Sequence, residues 1–553
     1  MSRKILALLF CLPAMSYAQN SYNIIYNTLN TKCSNAGCHS ATSADALKFD
    51  GSSATVYNAI VGQMPATAGA VSRGEELVWK NQPYQSYLLK RAGSWLDADL
   101  ALPGNETNTS HTAAGLSNKE AEYIRQWIMN GASQTGNTVD TALVNAYYND
   151  TPRAVFYPKP TAPAPGTGTQ LRFGPIFVPA ASSKSEIEYL LKQEVDFPSN
   201  SEITLMAGDM NAQSHHFLLF KYDDSASAAA QPDGMRVVSL AGGTTSFDGS
   251  KKLMGAWQTP ASLPLPTGTA LFWEKKTWLD FNFHIKNYNA SGVLPFDFYL
   301  NCNYQQHLPT STTIEMKSRL ANNVSFLLPP HTTTTTNFSD GDNGSNEMRY
   351  IWSISSHTHK FGTGFNIYEY SSSAPNHFGD TLYVGTWDYL NGFDRGYYDW
   401  EHPGIRFFNP QRPMNMQTNG LIVQTIWNNT SGSYITFGFQ TANEMQLFYY
   451  MYTNSLPNAT GVNEIADRAF DFMVYPNPMS DVGTIAYKLD NTANVKASVI
   501  DITGKELAVL KEEKQTSGSY TVDMGKQVDL AKGIYFARVT VDGSNYTKKF
   551  VIQ

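Results

Sequence analysis

WLDFNFHIKNY, residues 278–288, alternates apolar and polar side chains along its length. That two-residue period belongs to a strand with one face on a core. The same alternation returns in EITLMAG (202–208), FLLFKY (217–222), GLIVQTIW (420–427) and YITFGF (434–439), with turn residues between the runs. Residues 171–455 therefore read as antiparallel β-structure. A change of pattern near Leu308–Thr312 divides them into two jelly-roll-like sandwiches, 171–308 and 309–455. The run HTTTTTNFSDGDNGSN (331–346) reads as a loop within the second. Composition agrees: the chain of 553 residues is 42% hydrophobic and 13% aromatic, enough for sizeable cores, and long charged helices are scarce. The fold class expected is multidomain and mainly β. A net charge of −7 without a basic stripe argues against nucleic acid as a partner.

The first 18 residues read as a secretory signal. Arg3 and Lys4 form its charged start, Ile5 to Leu12 its apolar core, and Ser16 and Ala18 the small residues before a cut at Ala18/Gln19. Cys11 leaves with it. No later apolar run has the roughly 18–20 residues needed to span a bilayer, so no transmembrane segment is expected. Cys33, Cys38 and Cys302 remain, too few for a disulfide framework. Cys302 reads as a buried thiol.

Residues 19–137 carry helical patterning, and 138–170, ending in PKPTAPAPGTGTQ, read as a Pro/Gly-rich linker. Cys33, Cys38 and His39 spell C-x4-C-H. The attachment site of haem c is C-x2-C-H, two thioethers and an iron-binding imidazole, so this loop is two residues longer. The competing reading is a Cys33–Cys38 disulfide beside an unrelated histidine. LSNKEAEYIRQWIMNGA (116–132) has a capping box at Ser117 and Glu120, a stripe of Leu116, Ile124, Trp127 and Ile128, and a stop at Gly131. This helix, with YNTLNTKCSNAGCH before it, resembles the small c-type cytochromes. The resemblance implies haem c on Cys33, Cys38 and His39. The family's axial Met-Pro pair is replaced by Leu102-Pro103, which leaves Met64 or His111 as sixth ligand.

In SHTHKFGTGF (356–365), His357 and His359 stand two residues apart, which on a strand puts both imidazoles on one face. Such a pair offers two nitrogen ligands to one metal; the alternative is two surface histidines near a loop. His215 and His216 are consecutive, so they serve one metal only at a bulge or strand end. His284 lies in the opening stretch. Met445 follows Glu444 in NEMQLFYYMY (443–452) and by itself reads as core.

In chain order these make HH, H, H-x-H, then EM before aromatics. The order and its surroundings, SEIEYLLKQEVDFPSN (185–200) and LPLPTGTALFWEKKTWLDFNFHIKNYN (263–289), resemble the copper type II, ascorbate-dependent monooxygenases. That family includes the peptidylglycine α-hydroxylating and dopamine β-hydroxylating enzymes. The resemblance spans about 171–455. It implies two coppers per chain: His215, His216 and His284 hold an electron-transfer copper, and His357, His359 and Met445 an oxygen-binding one. It makes His357, His359, Met445 and Tyr449 the catalytic set. It implies O2 as co-substrate, ascorbate or another reductant as electron donor, and hydroxylation of a C–H bond in a small-molecule or peptide-like substrate. Ser355 stands where peptide-amidating members carry a carboxylate-gripping Arg, and Leu447 where they carry Asn, so glycine-extended peptides are not the expected substrate. Leu190 and Leu191 replace an expected Cys. The stretch TWDYLNGFDRGYYDWEHPG (386–404) either lines a substrate pocket or packs in core or loop; His377 and His402 read as bystanders. A non-catalytic extracellular copper or haem protein is the alternative function.

After a gap at 456–469, residues 470–553 alternate like a small β-sandwich. VYPNP, a D-x-x-G-K turn at Asp501–Lys505, KGIYFARV and KKFVIQ together resemble the sorting domain of type IX secretion, a system of the Bacteroidetes. This implies the secretion machinery as partner, passage through the periplasm and outer membrane, and a secreted or cell-surface destination.

Overall fold

In the computed structural model, residues 20–34, 38–104, 106, 115–180, 186–211, 214–238, 249–257, 260–341, 347–389, 391–416, 420–439, 442–457, 472–475, 479, 483–489, 491–501, 504–524 and 530–552 are described. The signal segment and His111 lie outside them. The chain is mainly β and divides into two compact units. One comprises Met1–Gly385, Tyr397–Pro403 and Met414–Pro457; the other comprises Thr386–Gly396, Gly404–Pro413 and Asn458–Gln553.

The larger unit begins with helices. α1 (Ser21–Cys33) packs on α2 (Asn118–Met129), with Tyr22 stacked on Trp127 at 5.3 Å. The expected capping box is present: Ser117 accepts from the Glu120 backbone N–H and the Glu120 carboxylate accepts from the Ser117 N–H. Lys32 pairs with the same carboxylate at 2.8 Å and ties the two helices together. The linker expected from residue 138 starts later. Thr141–Asn149 is a further helix, capped by Asp140, which buries Val144 and Tyr147 in the helical core. Two apolar residues three apart suffice to dock one face.

Next come two sandwiches. In the first, β1 (Gly168–Val178), β3 (Ser201–Met210) and β6 (Leu294–Gln306) lie in one sheet. β2 (Glu186–Asp196), β4 (Ser214–Tyr222) and β5 (Lys276–Lys286) lie in the other, where β5 pairs on either side with β2 and β4. Phe173 of the first sheet meets Phe281 of the second at 4.3 Å and Phe217 at 6.1 Å, so aromatic rings fill the space between the sheets. The helices dock on this sandwich through Arg172, which reaches Asp97 at 2.7 Å, Asp99 at 2.8 Å and Asp297 at 2.9 Å.

The second sandwich has β7 (Lys317–Asn323), β8 (Met348–His357) and β9 (Gln446–Thr453) in one sheet, with β9 between the other two. Thr332–Asp340 is a strand of the facing sheet, paired with Leu421–Asn429. This corrects the loop expected at 331–346 over its first half. β-Branched threonine favours the extended backbone, and the run alternates exposed and half-buried positions as an outer strand does.

The smaller unit contains the C-terminal sandwich, with Phe472, Ile485, Val495, Val499, Val539 and Phe550 in its core. In its D-x-x-G-K segment, Gly504 at φ +86 donates to the Asp501 carbonyl, and the Lys505 N–H donates to the Asp501 side chain.

Candidate metal centre

The first half of the site is written across three neighbouring strands. In the ladder Glu188 of β2 faces His284 of β5, and His284 faces His216 of β4. Residues opposite one another share a face, so carboxylate, imidazole and imidazole stand in a row. The β4–β5 pairing then slips: His216 is opposite His284, but Ser214 is opposite Ile285. His215 is the extra residue of a β-bulge, the backbone condition a consecutive pair needs. Its side chain lies outside the described set.

Acceptors fix two ring tautomers. Asn282 donates its Nδ2–H to Glu188 at 3.1 Å, which turns its Oδ1 towards His216, and His216 Nε2–H donates to that oxygen at 2.9 Å. His284 Nε2–H donates to Glu186 at 2.7 Å. In both rings the lone pair then sits on Nδ1.

The second half lies at the end of β8. His357 pairs with Leu447 and Ser355 with Tyr449, so Leu447 and Tyr449 lie on the face that carries His357, and Met445 directly precedes β9. Glu444 gathers the following turn. Its carboxylate accepts N–H bonds from His359 at 2.8 Å, Phe361 at 2.6 Å and Met445 at 3.3 Å. His359 Nδ1–H donates to the Asn443 carbonyl at 3.1 Å, leaving the lone pair on Nε2. Gly362 is required there, because a Cβ would stand 2.1 Å from Thr358 Oγ1.

The two halves meet. His216 lies 5.1 Å from His284 and 5.3 Å from His357, ring to ring; His357 lies 5.2 Å from His359, and His359 6.4 Å from His284. All four imidazoles are buried. Met445 is 3% exposed and packs with Phe439 and Leu447. Tyr449 is buried too, but among Phe220, Leu253 and Leu320 where the sandwiches touch. His377 and His402 are surface residues outside the cluster.

Burial sets the electrostatics. Desolvation of the imidazolium, reinforced by the neighbouring rings, holds His357 well below the ordinary histidine range, and burial brings His359 down to about 4. His216 is lowered for the same first reason. For Glu188, burial pushes upward, but the facing His216 and His284 outweigh it and the group ends below the ordinary carboxylate range. Glu444 is pushed up to about 8 by burial, against its three N–H donors.

The histidine shifts imply acid sensitivity of the metal-free protein. Below about pH 6.5 the unfolded chain protonates these imidazoles and the folded one does not, so the unfolded state binds more protons. Stability therefore falls as the pH drops from about 6.5 towards 4. Glu444 opposes this with one group against three. Urea midpoints across that window are expected to fall with pH, and His359→Gln to flatten the slope by about one proton's worth, roughly 1.4 kcal/mol per pH unit. An unchanged slope in the variant would remove the buried neutral ring from the account.

Imidazole and thioether are donor types that copper accepts. Imidazole serves both oxidation states, and the Met445 thioether favours the reduced one. Among the described residues no three histidine, cysteine or carboxylate side chains converge as one metal would require. The sets implied by the resemblance include the His215 side chain, which lies outside the described residues, and the Met445 thioether.

The C-x4-C-H segment sits at the end of α1. Among the described residues Cys33, Cys38 and Cys302 are free thiols, so the disulfide alternative is not formed. Burial pushes the Cys33 thiol up to about 11 and that of Cys302 to about 12. His39 Nδ1–H donates to the Leu47 carbonyl at 3.0 Å, and its ring packs on Phe49 at 4.9 Å. That bond leaves the ring's lone pair on Nε2. Met64 is 56% exposed.

Glu186, Glu188 and Glu444 carried no role in the sequence reading. Their signals were present: an E-x-E step in SEIEYLL, and the Glu next to Met445. Their histidine partners come from strands far along the chain.

Residues 473–553 match the family model of the secretion system C-terminal sorting domain. No curated protein matches the chain. Among solved structures, the major capsid protein P2 of bacteriophage PM2 is 9% identical, covering 52% of this chain and 99% of that one at a TM-score of 0.24. The β-D-glucuronidase of Dictyoglomus thermophilum is 11% identical over 40% of this chain and 36% of that one, with a TM-score of 0.15. That of Faecalibacterium prausnitzii is 10% identical over the same shares, also at 0.15. At such scores none of them bears on the fold or activity of this chain. No described helix is long and apolar enough to cross a membrane. The C-terminal sandwich is a type IX sorting domain, which engages the secretion machinery and directs the protein to the cell surface or beyond.

Proposed function

We propose that the paired sandwiches form a copper-dependent monooxygenase exported through type IX secretion. The observation that carries this reading is the gathering of His216, His284, His357 and His359, two from each sandwich, into one buried cluster. His215, His216 and His284 would hold one copper and His357, His359 and Met445 the other. Bound copper supplies one-electron storage and the reduction of O2. Hydroxylation consumes a substrate C–H bond, O2, two electrons and two protons, and yields C–OH and water. An external donor of the ascorbate kind supplies the electrons.

The protein's own residues supply the rest. Glu444 and Asn443 hold the His359 ring and its backbone in one orientation. Burial keeps His357 and His359 neutral at physiological pH, the state in which an imidazole can donate a lone pair. Tyr449 seals the joint between the sandwiches. Ser355, buried in place of a cation, leaves no charge there to grip a carboxylate, which favours a substrate without one. Cys33, Cys38 and His39 would carry a haem c, which would supply a one-electron redox centre in the same chain as the copper domains.

Metal and haem analysis of the mature protein tests this. About two coppers per chain are expected, one fewer in His359→Ala, and a weakened second copper in Met445→Ala. A wild type that takes up no copper on reconstitution would end the proposal and leave the haem domain as the place to look.

A further inference from the structure

The segment Tyr397–Pro403 supplies no metal donor, yet it is bonded beside both halves of the histidine cluster. Near its start Tyr398 is buried in the second sandwich. Ser356 Oγ–H donates to Tyr383 OH at 3.0 Å and shares a hydrogen bond with Tyr398 OH at 3.1 Å. Thr358 is a further partner of the Tyr398 hydroxyl. Ser356 and Thr358 flank His357 in the chain. The Tyr398 ring stacks on Phe365 at 6.2 Å and fills a socket over Gly385, where a Cβ would stand 2.6 Å from it. Three residues on, Glu401 Oε1 accepts from Tyr288 OH at 3.2 Å. Tyr288 follows the end of β5, the strand that carries His284, and is 55% exposed. Burial, then the charges of Glu401 and Glu186, push its hydroxyl up to about 12, so it stands near the carboxylate that accepts the His284 Nε2–H. Three residues of chain span at most about 11 Å. Between Tyr398 and Glu401 the segment therefore crosses from the His357 side to the His284 side on the scale of the cluster itself, where His357 lies 5.2 Å from His359 and His359 6.4 Å from His284.

We infer that Tyr397–Pro403 is a strap over the histidine cluster, anchored in the second sandwich by Tyr398 and latched to the first by the Glu401–Tyr288 hydrogen bond, and that the latched end is the one that opens. The two ends differ in strength. Tyr398 is held by buried hydroxyls and by ring packing, and withdrawing it would strip those hydroxyls of a partner and empty a fitted socket. The latch is one hydrogen bond to an exposed phenol, where water can take the place of either partner. Gly396, at φ +75, and Gly404 bound the strap, and residues at such ends absorb the change of backbone angle when a lid moves. The consequence for turnover rests on the copper reading: with all four imidazoles buried, a substrate reaches them by parting Glu401 from Tyr288, and the strap excludes water again on closing.

Diethyl pyrocarbonate acylates accessible imidazoles, and its rate at each histidine of the full-length, metal-free protein, read by peptide mass spectrometry, tests this. Tyr288→Phe and Glu401→Ala are each expected to raise the rate at His357 and His359 about fivefold, the shift in open population for the net loss of one hydrogen bond. The double variant is expected to match the single ones, because both break the same bond. His307, with a side chain 34% exposed, and His377 on the surface are expected to keep their rates and serve as internal controls, and the urea midpoint is expected to stay at the wild-type value. Unchanged rates at His357 and His359 in both single variants would overturn the strap. So would effects that add in the double variant, or a rise that follows a falling urea midpoint, since the rings would then be reached through a loosened fold. The measurement needs no metal, so a wild type that binds no copper would end the copper reading and leave the strap standing.

Discussion

Arg172→Met is expected to cost the larger unit about 3–5 kcal/mol, the range for leaving buried charge without its partner. The Arg172 side chain is 5% exposed. It bonds Asp97, Asp99 and Asp297 and lies between the rings of Tyr84 at 4.7 Å and Tyr299 at 5.0 Å. Methionine fills much of the volume but leaves Asp297 uncompensated. Burial already pushes the Asp297 carboxyl above its ordinary range while Arg172 holds it back. Lys159→Met is the contrast. Lys159 also pairs with Asp99, but it is 42% exposed and its loss is expected to cost under about 1 kcal/mol. Urea denaturation of both variants measures the difference. If the two midpoints fall together, the Arg172 cluster does not hold the helices to the first sandwich.

The second large effect is expected at Glu444. Glu444→Ala strips three backbone N–H groups of their acceptor inside the protein. Each unsatisfied buried donor costs about 1–3 kcal/mol, so a loss of about 3 kcal/mol or more is expected. Above about pH 8, where the Glu444 carboxyl is ionised, Glu444→Gln keeps one acceptor oxygen and turns an amide N–H against a backbone donor, and falls between alanine and wild type. If the proposed copper sites form, both variants are expected to bind the second copper weakly and the first normally, because the turn from His357 to Phe361 loses its clamp. Copper content per chain beside the urea midpoint separates the outcomes. A stable Glu444→Ala protein with two tightly held coppers would show that the turn holds its shape without the carboxylate.

Much of this was legible locally. The alternation of 278–288 placed His284 on a strand, and the capping box placed α2, because both signals lie within a few residues. The threonine run misled because its composition resembles a loop while its β-branching favours a strand. The helix at Thr141–Asn149 was hidden in a segment judged by the prolines that follow it. The meeting of His216 with His357 was not legible from spacing. It depends on how two sandwiches pack, over a separation of 141 positions (357 − 216). For the same reason the doublet His215-His216 announced a bulge but not the carboxylates behind it.

The bulge at His215 also marks where selection for durability and selection for chemistry part company. One extra residue interrupts an otherwise continuous ladder between β4 and β5. A chain without it would pair more regularly, and a screen that rewarded heat resistance alone would drift towards that deletion. The doublet would then become a single histidine, and the proposed first copper would lose a ligand while the sheet improved. On the copper reading, position 215 is thus the place where an engineer should expect a sturdier protein and a weaker metal site from the same change.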